Sequence, residues 1–321
     1  VESSDVEERM RMIEGRDEER RAAGAEPLSG DVKLAEFARY RRLLFSIAYR
    51  MLGSVSDAED MLQETFIRWQ RADAEEIRSP RAFLVTIVSR LCVTYLESAR
   101  VKREQYVGQW LPEPIVTDAG SDPLELVRLD ESLSMAFLVL LERLTPMERA
   151  VFLLREVFEY EYDEVAAVLG KSEANCRQVL RRAKQHVQEM KPRFRVSRAK
   201  QSDLLERFLK AAVTGDTDGL IAMLANDVEL HSDGGGKGVA VPNVVKGSDN
   251  VARGVVGALS RLLPGDLVRK VASINGRPGV VSYRKGNAHS VLTLETDGER
   301  ISAIYVVTNP EKLVHVPKTV N

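Results

Sequence analysis

Between Tyr160 and Gln188 the sequence admits little besides two helices joined by a tight turn. Ala166 is small where two helices must cross closely, and Gly170, four residues on, can take the positive φ that a sharp turn requires. Ser172 stands at an N-cap position, its hydroxyl placed for an early amide of the second helix. Val165, Leu169, Cys176 and Val179 occupy the internal apolar positions of a helix-turn-helix. The second helix carries Asn175, Arg177, Gln178, Arg181, Arg182 and Lys184, all able to donate to base edges or phosphates. An ordinary helical hairpin with a solvated basic face would satisfy the same pattern. A DNA-reading hairpin accounts for more of it.

Charge distribution points the same way. The formal net charge is only −2, yet it divides sharply along the chain. Residues 173–200 hold nine Lys/Arg against two Glu, whereas residues 104–131 hold seven Asp/Glu against one Arg. A nucleic-acid face and an acidic connector are implied. Cys92 and Cys176, far apart on apolar helix positions, argue against a disulfide framework or a zinc site and fit a reducing cytosol. No apolar run approaches the roughly 18–20 residues of a membrane span, and the acidic N-terminus does not resemble a signal peptide. A cytoplasmic protein with no membrane association, no metal and no cofactor is expected.

Five segments follow in order. Residues 1–30, rich in Glu, Asp and Arg, make a flexible acidic arm with little apolar surface. Residues 31–103 form a first helical domain. Phe37, Leu44, Ile47, Ala48 and Met51 recur at helical spacing up to Gly53, and Asp57 is expected to cap the next helix. On that helix Ala58, Met61, Leu62, Thr65, Phe66 and Trp69 face inward, while Asp57, Asp60, Gln63 and Glu64 share the opposite side. By themselves these acids describe a solvated face. Ser79-Pro80 opens a third helix, made basic by Arg78, Arg81, Arg90, Lys102 and Arg103. A basic helix end also satisfies the helix dipole.

Residues 104–130 are the acidic connector. It contains Trp110-Leu111-Pro112-Glu113-Pro114, whose prolines exclude a helix interior and whose Trp suggests a docking anchor. Residues 131–196 are a second helical domain, with Leu144-Thr145-Pro146 marking a helix start ahead of the hairpin. Residues 197–321 change character. Two amphipathic helices precede strand-like runs at 228–233, 268–274, 279–283, 289–295 and 301–308, with a helix at 248–262 inserted after the first run. Helices followed by a mostly antiparallel sheet make an α+β domain.

Taken together, these motifs resemble a known family. Asp57-Ala58-Glu59-Asp60-Met61-Leu62-Gln63-Glu64-Thr65-Phe66-Ile67-Arg68-Trp69 resembles region two of bacterial RNA polymerase sigma factors. Leu144-Thr145-Pro146-Met147-Glu148-Arg149 with the following hairpin resembles region four. The lack of further sigma regions is similar to the extracytoplasmic-function (ECF) group. The C-terminal domain resembles SnoaL-like cone folds. Its pairing with the connector motif and with Asp233-Gly234-Gly235-Gly236-Lys237 resembles the sigma-J-like subgroup, and the likeness covers roughly residues 33–318.

The resemblance implies two all-α sigma domains followed by an α+β SnoaL-like domain, working with core RNA polymerase (β′ clamp helices and β subunit) and promoter DNA. Asp57, Asp60, Gln63 and Glu64 would dock the basic β′ clamp helices. Arg78, Ser79, Arg81, Arg90, Lys102 and Arg103 would handle the −10 element. Ser172, Asn175, Arg177, Gln178, Arg181, Arg182 and Lys184 would serve the −35 element, the last two and the following basic tail holding phosphates. Trp110, Pro112, Glu113 and Pro114 would meet Asp233, Gly234, Gly235, Gly236, Lys237 and the tail Asn309-Pro310-Glu311-Lys312 in a regulatory contact between domains, Asn309 and Pro310 foremost. Lys171 departs from the apolar residue usual at that turn position, and the long N-terminal arm departs from the sigma pattern.

Two other classes stay open. The front half also suits a helix-turn-helix regulator that binds duplex DNA without polymerase, fused to a ligand-binding or isomerase-like domain. His231 and Asp233, two apart on one strand, point to one face and could move a proton in a cone-shaped pocket. Asp233 opening a glycine turn, with His231 a satisfied polar residue, is the plainer account. A small-molecule ligand in this domain remains open.

Overall fold

The computed structural model describes residues 30–73, 77–104, 106–117, 133–188, 197–262 and 267–318. The expectations for the arm, for connector residues 118–130 and for the basic tail 189–196 lie outside the described residues. Three helices open the fold: α1 (Gly30–Leu52), α2 (Val55–Arg71) and α3 (Pro80–Glu104). Gly53 ends α1 with φ +68°. The cap of α2 is Ser54, not Asp57: the Ser54 hydroxyl accepts from Asp57 N–H, which leaves Asp57 in the first turn. Serine wins because its extended backbone (φ −129°, ψ 131°) turns the hydroxyl back onto the helix start.

Helices α4 (Met135–Leu141), α5 (Pro146–Phe152), α6 (Tyr162–Leu169) and α7 (Glu173–Gln188) follow, with a π-helical turn at Leu153–Val157 between α5 and α6. Thr145 and Glu148 close a capping box on α5, with Pro146 in its first turn. The two helical domains share one apolar core. It runs unbroken from Leu44, Ile47, Leu62 and Trp69 through Leu84 and Val88 to Leu138, Val151, Val165 and Val179.

The C-terminal part begins with α8 (Arg198–Thr214) and α9 (Thr217–Met223), with α10 (Ser248–Leu262) inserted later. Its sheet comprises β1 (Val116–Thr117), β2 (Leu224–Asp233), β3 (Val245–Lys246), β4 (Leu267–Ile274), β5 (Arg277–Arg284), β6 (Asn287–Thr296) and β7 (Ile301–Val307), in the order β1-β4-β5-β6-β7-β2-β3. All pairings are antiparallel except β2 with β7. β1 and β3 are too short to announce themselves by alternation, and β1 belongs to the connector.

Alternation along the longer strands gives the sheet two different faces. Leu230, Val280, Leu294 and Ile304 pack beneath α8, α9 and α10. Ile274, Val281, Val291 and Tyr305 face the other way and meet Leu111 and Val116 of the connector and Met135 of α4. One sheet face therefore serves its own helices. The other serves the front half.

Candidate nucleic-acid interface and interdomain clasp

In the helix-turn-helix, Gly170 caps α6 in the left-handed region (φ 64°, ψ 40°), its N–H reaching Ala166 O. The Ser172 hydroxyl accepts from Asn175 N–H at 3.3 Å. Cys176, Val179, Leu180 and Ala183 are buried on the inward side of α7, and Asn175, Gln178, Arg181 and Arg182 are exposed on the other. Lys171 is also exposed, so its departure from the usual apolar residue disturbs no packing. Two of the expected DNA contacts also have partners within the second helical domain. Arg177 pairs with Glu173 at 2.7 Å and lies 4.5 Å above the Tyr162 ring. Lys184 pairs with Glu156 at 2.8 Å.

Around α3, Ser79 accepts from Ala82 N–H at 3.3 Å as an N-terminal cap, and Arg78 is exposed just before it. Arg81 and Arg90 turn toward the second helical domain. Arg81 sits 5.1 Å over the Tyr160 ring. Arg90 donates to Val168 O at 2.7 Å and Ala167 O at 3.0 Å, capping the C-terminal carbonyls of α6. The backbone of Lys102 and Arg103 continues α3, and their side chains lie outside the described residues. Arg149 returns the contact, donating to Met51 O at 2.6 Å and Glu142 at 2.7 Å while 3 % exposed.

On α2, Asp60 and Gln63 are exposed, whereas Glu64 pairs with Arg68 at 2.8 Å. Asp57 accepts from the Tyr95 hydroxyl of α3 at 2.7 Å, so one of its oxygens is taken up inside the domain.

The third set of residues forms a buried clasp around Asp233, which is 0 % exposed. Its Oδ1 accepts from the Tyr106 hydroxyl at 2.6 Å and from Gly235 N–H at 3.0 Å. Its Oδ2 accepts from Leu111 N–H at 2.8 Å and Lys312 Nζ at 2.7 Å. Lys312 also donates to Leu111 O and lies 4.0 Å over the Trp110 ring and 4.9 Å over that of Tyr106. Asn309 donates to Tyr106 Oη at 2.8 Å and accepts from Glu311 N–H at 3.0 Å, opening the 3₁₀ turn Pro310–Leu313. Its side-chain amide fills the space where a Cβ on Gly235 would stand, and Gly235 has φ +56°. Gly234 O accepts from Lys237 N–H at 2.9 Å, which closes the glycine turn, and Lys237 pairs with Glu311. Burial, then the bond to Asp233, raises the Tyr106 phenol well above its ordinary pKa.

The connector grips the first domain as firmly. Glu113 Oε1 accepts from the Ser54 hydroxyl at 2.9 Å, and Oε2 accepts from Val55 N–H at 2.8 Å. A carboxylate thus sits on the positive end of α2. The Trp110 ring packs against the bare backbone of Gly53, where a Cβ would come 2.7 Å from Cη2. Tyr49 Oη donates to Glu113 O at 2.6 Å and accepts from Asn275 Nδ2 at 2.8 Å, so one phenol joins all three parts of the chain. Glu113 therefore meets α2 rather than the glycine turn. Lys312 belongs to the tail expected at the connector, whereas Tyr106, Gly53, Tyr49 and Asn275 were not among the expected clasp residues. Of these, Gly53 carried the signal of a helix end and Asn275-Gly276 that of a tight hairpin.

The His231–Asp233 pair does not form a reaction centre. Asp233 has both oxygens occupied, and His231 stacks on Tyr305 at 5.0 Å with its nitrogens against Gln109 at 3.2 Å and Glu229 at 3.0 Å. Burial lowers the His231 pKa, against the opposing pull of Glu229. Both residues project from the sheet face turned to the connector.

Comparison with known proteins supplies the family. The profile of Sigma-70 region 2 matches residues 37–101, and that of Sigma-70 region 4 matches residues 134–187. The chain is 37% identical over 297 residues to the ECF RNA polymerase sigma factor SigJ of Mycobacterium tuberculosis, covering 89% of this chain and 95% of that relative. It is 32% identical over 281 residues to the probable ECF RNA polymerase sigma factor SigI of the same species, covering 87% and 94%. The crystal structure of the Mycobacterium tuberculosis SigJ superposes with a TM-score of 0.71 at 34% identity, over 87% of this chain and 97% of that one. Identity and shared architecture extend through the helical domains into the C-terminal sheet. The chain belongs to the extracytoplasmic-function RNA polymerase sigma factors, promoter-recognising subunits of RNA polymerase.

Proposed function

We propose that this sigma factor is regulated in cis by its C-terminal domain, which holds the connector and both helical domains in one arrangement. The buried Asp233–Lys312 pair, enclosed by Tyr106, Trp110 and Leu111, is the observation that carries this reading. The outward face of α2, with Asp60 and Gln63, docks the basic β′ clamp helices of core polymerase, and the second helical domain lies toward the β subunit. Residues 78–103 handle the −10 element, Asn175, Gln178 and Arg181 read the −35 major groove, and Arg182 holds phosphates. Arg81 and Arg90 contribute to −10 binding after they leave Tyr160 and α6. The chain supplies no catalysis of its own and works in the cytoplasm, where polymerase is.

The alternative is a helix-turn-helix regulator that binds duplex DNA unaided, its last domain holding a small ligand. A gel shift on promoter DNA, with and without core polymerase, separates the two. A complex that needs core polymerase, and is lost with Asp60→Arg, is the expected result. Tight, steeply salt-dependent binding by the chain alone would favour the alternative.

A further inference from the structure

Helix α2 presents an outward stripe that reaches its first turn: Ser56, Asp60, Gln63 and Ile67 recur three and four apart, and all are exposed. The C-terminal tail of the chain meets that stripe at its start. His315 Nε2 lies 3.0 Å from Ser56 Oγ. The tail is fixed there by what flanks it. Lys312 is locked into the Asp233 clasp, and Leu313 and Val316 are buried against the sheet. Val314 and His315 are left as an outward ledge between these anchors, Val314 being 71% exposed. At the same turn Glu113 accepts from Val55 N–H at 2.8 Å, so the connector and the tail border one helix start.

We propose that the Val314–His315 ledge is part of the docking surface for core RNA polymerase, which touches the C-terminal domain when it binds α2. This rests on the reading that the outward face of α2 is where polymerase docks. The reason is steric. Ser56 and Asp60 are one turn apart, about 6 Å along the axis, whereas a helix with its side chains is about 10–12 Å across. A partner helix centred over Asp60 therefore extends about 5–6 Å to either side and reaches the ledge. Asp60 and Gln63 stay uncovered by the tail, so the ledge forms an end wall to the stripe and does not block it. The partner has the chemistry of a basic helical element, with cations for Asp60 and an apolar side chain to cover Val314. Polymerase docking is in this way coupled to whether the C-terminal domain is seated, because an unseated domain takes the ledge away.

The test is the affinity of the full-length chain for purified core polymerase, measured by fluorescence anisotropy. Val314→Asp is the chief variant, since so exposed a side chain contributes little to folding. A His315→Ala variant removes the contact with Ser56, and Asp60→Arg serves as reference. The expected result is a loss of roughly tenfold for Val314→Asp, as for truncating a contact inside an interface, a smaller loss for His315→Ala, and near-complete loss for Asp60→Arg. Unchanged or tighter binding by Val314→Asp, with Asp60→Arg disruptive, overturns the ledge proposal and leaves α2 as the docking helix. Unchanged binding by Asp60→Arg removes the underlying reading instead.

Discussion

Asp233 shows how a single carboxylate can hold a three-part chain together. Four donors surround its two oxygens, and one is the ammonium of Lys312, which is itself buried beneath Trp110 and Tyr106. The stabilising effect of such a pair over an apolar replacement is small, but removing one partner strands the other charge without water. Asp233→Ala is expected to destabilise the C-terminal domain by about 3–5 kcal/mol. Urea unfolding of the full chain followed by circular dichroism should show it as an earlier transition. A midpoint equal to that of the parent chain would mean that Lys312 finds another route to solvent. The sequence announced Asp233 through the three glycines after it. The tail Asn309-Pro310-Glu311-Lys312 is placed at the connector by resemblance, but nothing in it distinguishes a buried lysine from a solvated one, so the pairing of Lys312 with Asp233 could not be read.

Among the elements, the strongest signals came from periodicity and caps. The hairpin at α6 and α7, the inward stripe of α2, and strands β4 to β7 all lie close to where alternation and helical spacing put them. What escaped was decided by partners distant in sequence. Ser54 rather than Asp57 caps α2, and Glu113, 59 residues away from Ser54, completes that cap. β1 is a strand only because β4 offers Ile274 and Ser273 to it. Arg81 and Arg90 are basic in sequence, yet their use as caps and ring partners depends on how the helical domains meet. The joint between α1 and α2 provides a direct test. Gly53→Ala would place a Cβ against Trp110 at a residue with φ +68°, a conformation that costs a non-glycine residue roughly 1–2 kcal/mol. In a Trp69→Phe background, where Trp110 is the sole tryptophan, its emission is expected to move to the red as the ring leaves its seat. An unshifted spectrum would show that the connector adapts in place.

At the scale of the whole molecule, the shared core sets the functional problem. Elements named −10 and −35 are about 25 base pairs apart, roughly 85 Å at 3.4 Å per step, whereas the two helical domains pack against each other through Arg149, Arg90 and a continuous apolar interior. This arrangement must open before both elements are engaged. Dyes at Gln70→Cys on α2 and Gln185→Cys on α7, both exposed, are expected to lose energy transfer when core polymerase and promoter are added, the native Cys92 and Cys176 being buried. Transfer that persists in an active complex would contradict opening. The pairing of Val116 with Ile274 has a further consequence for the order of synthesis. At roughly 5–20 residues per second, the ribosome finishes the connector about 8–30 s before β4 exists. Throughout that interval the edge strand has no sheet to join, and the front half must fold with its connector held only at its Glu113 end. A chain ended near residue 200 keeps that condition permanently: it lacks the C-terminal domain and with it Trp110's lysine and the Asn275 amide on Tyr49, while Glu113 keeps its partners on α2. Such a truncation reports on a released connector as much as on a missing regulator, so point changes in the clasp are the cleaner way to separate the two.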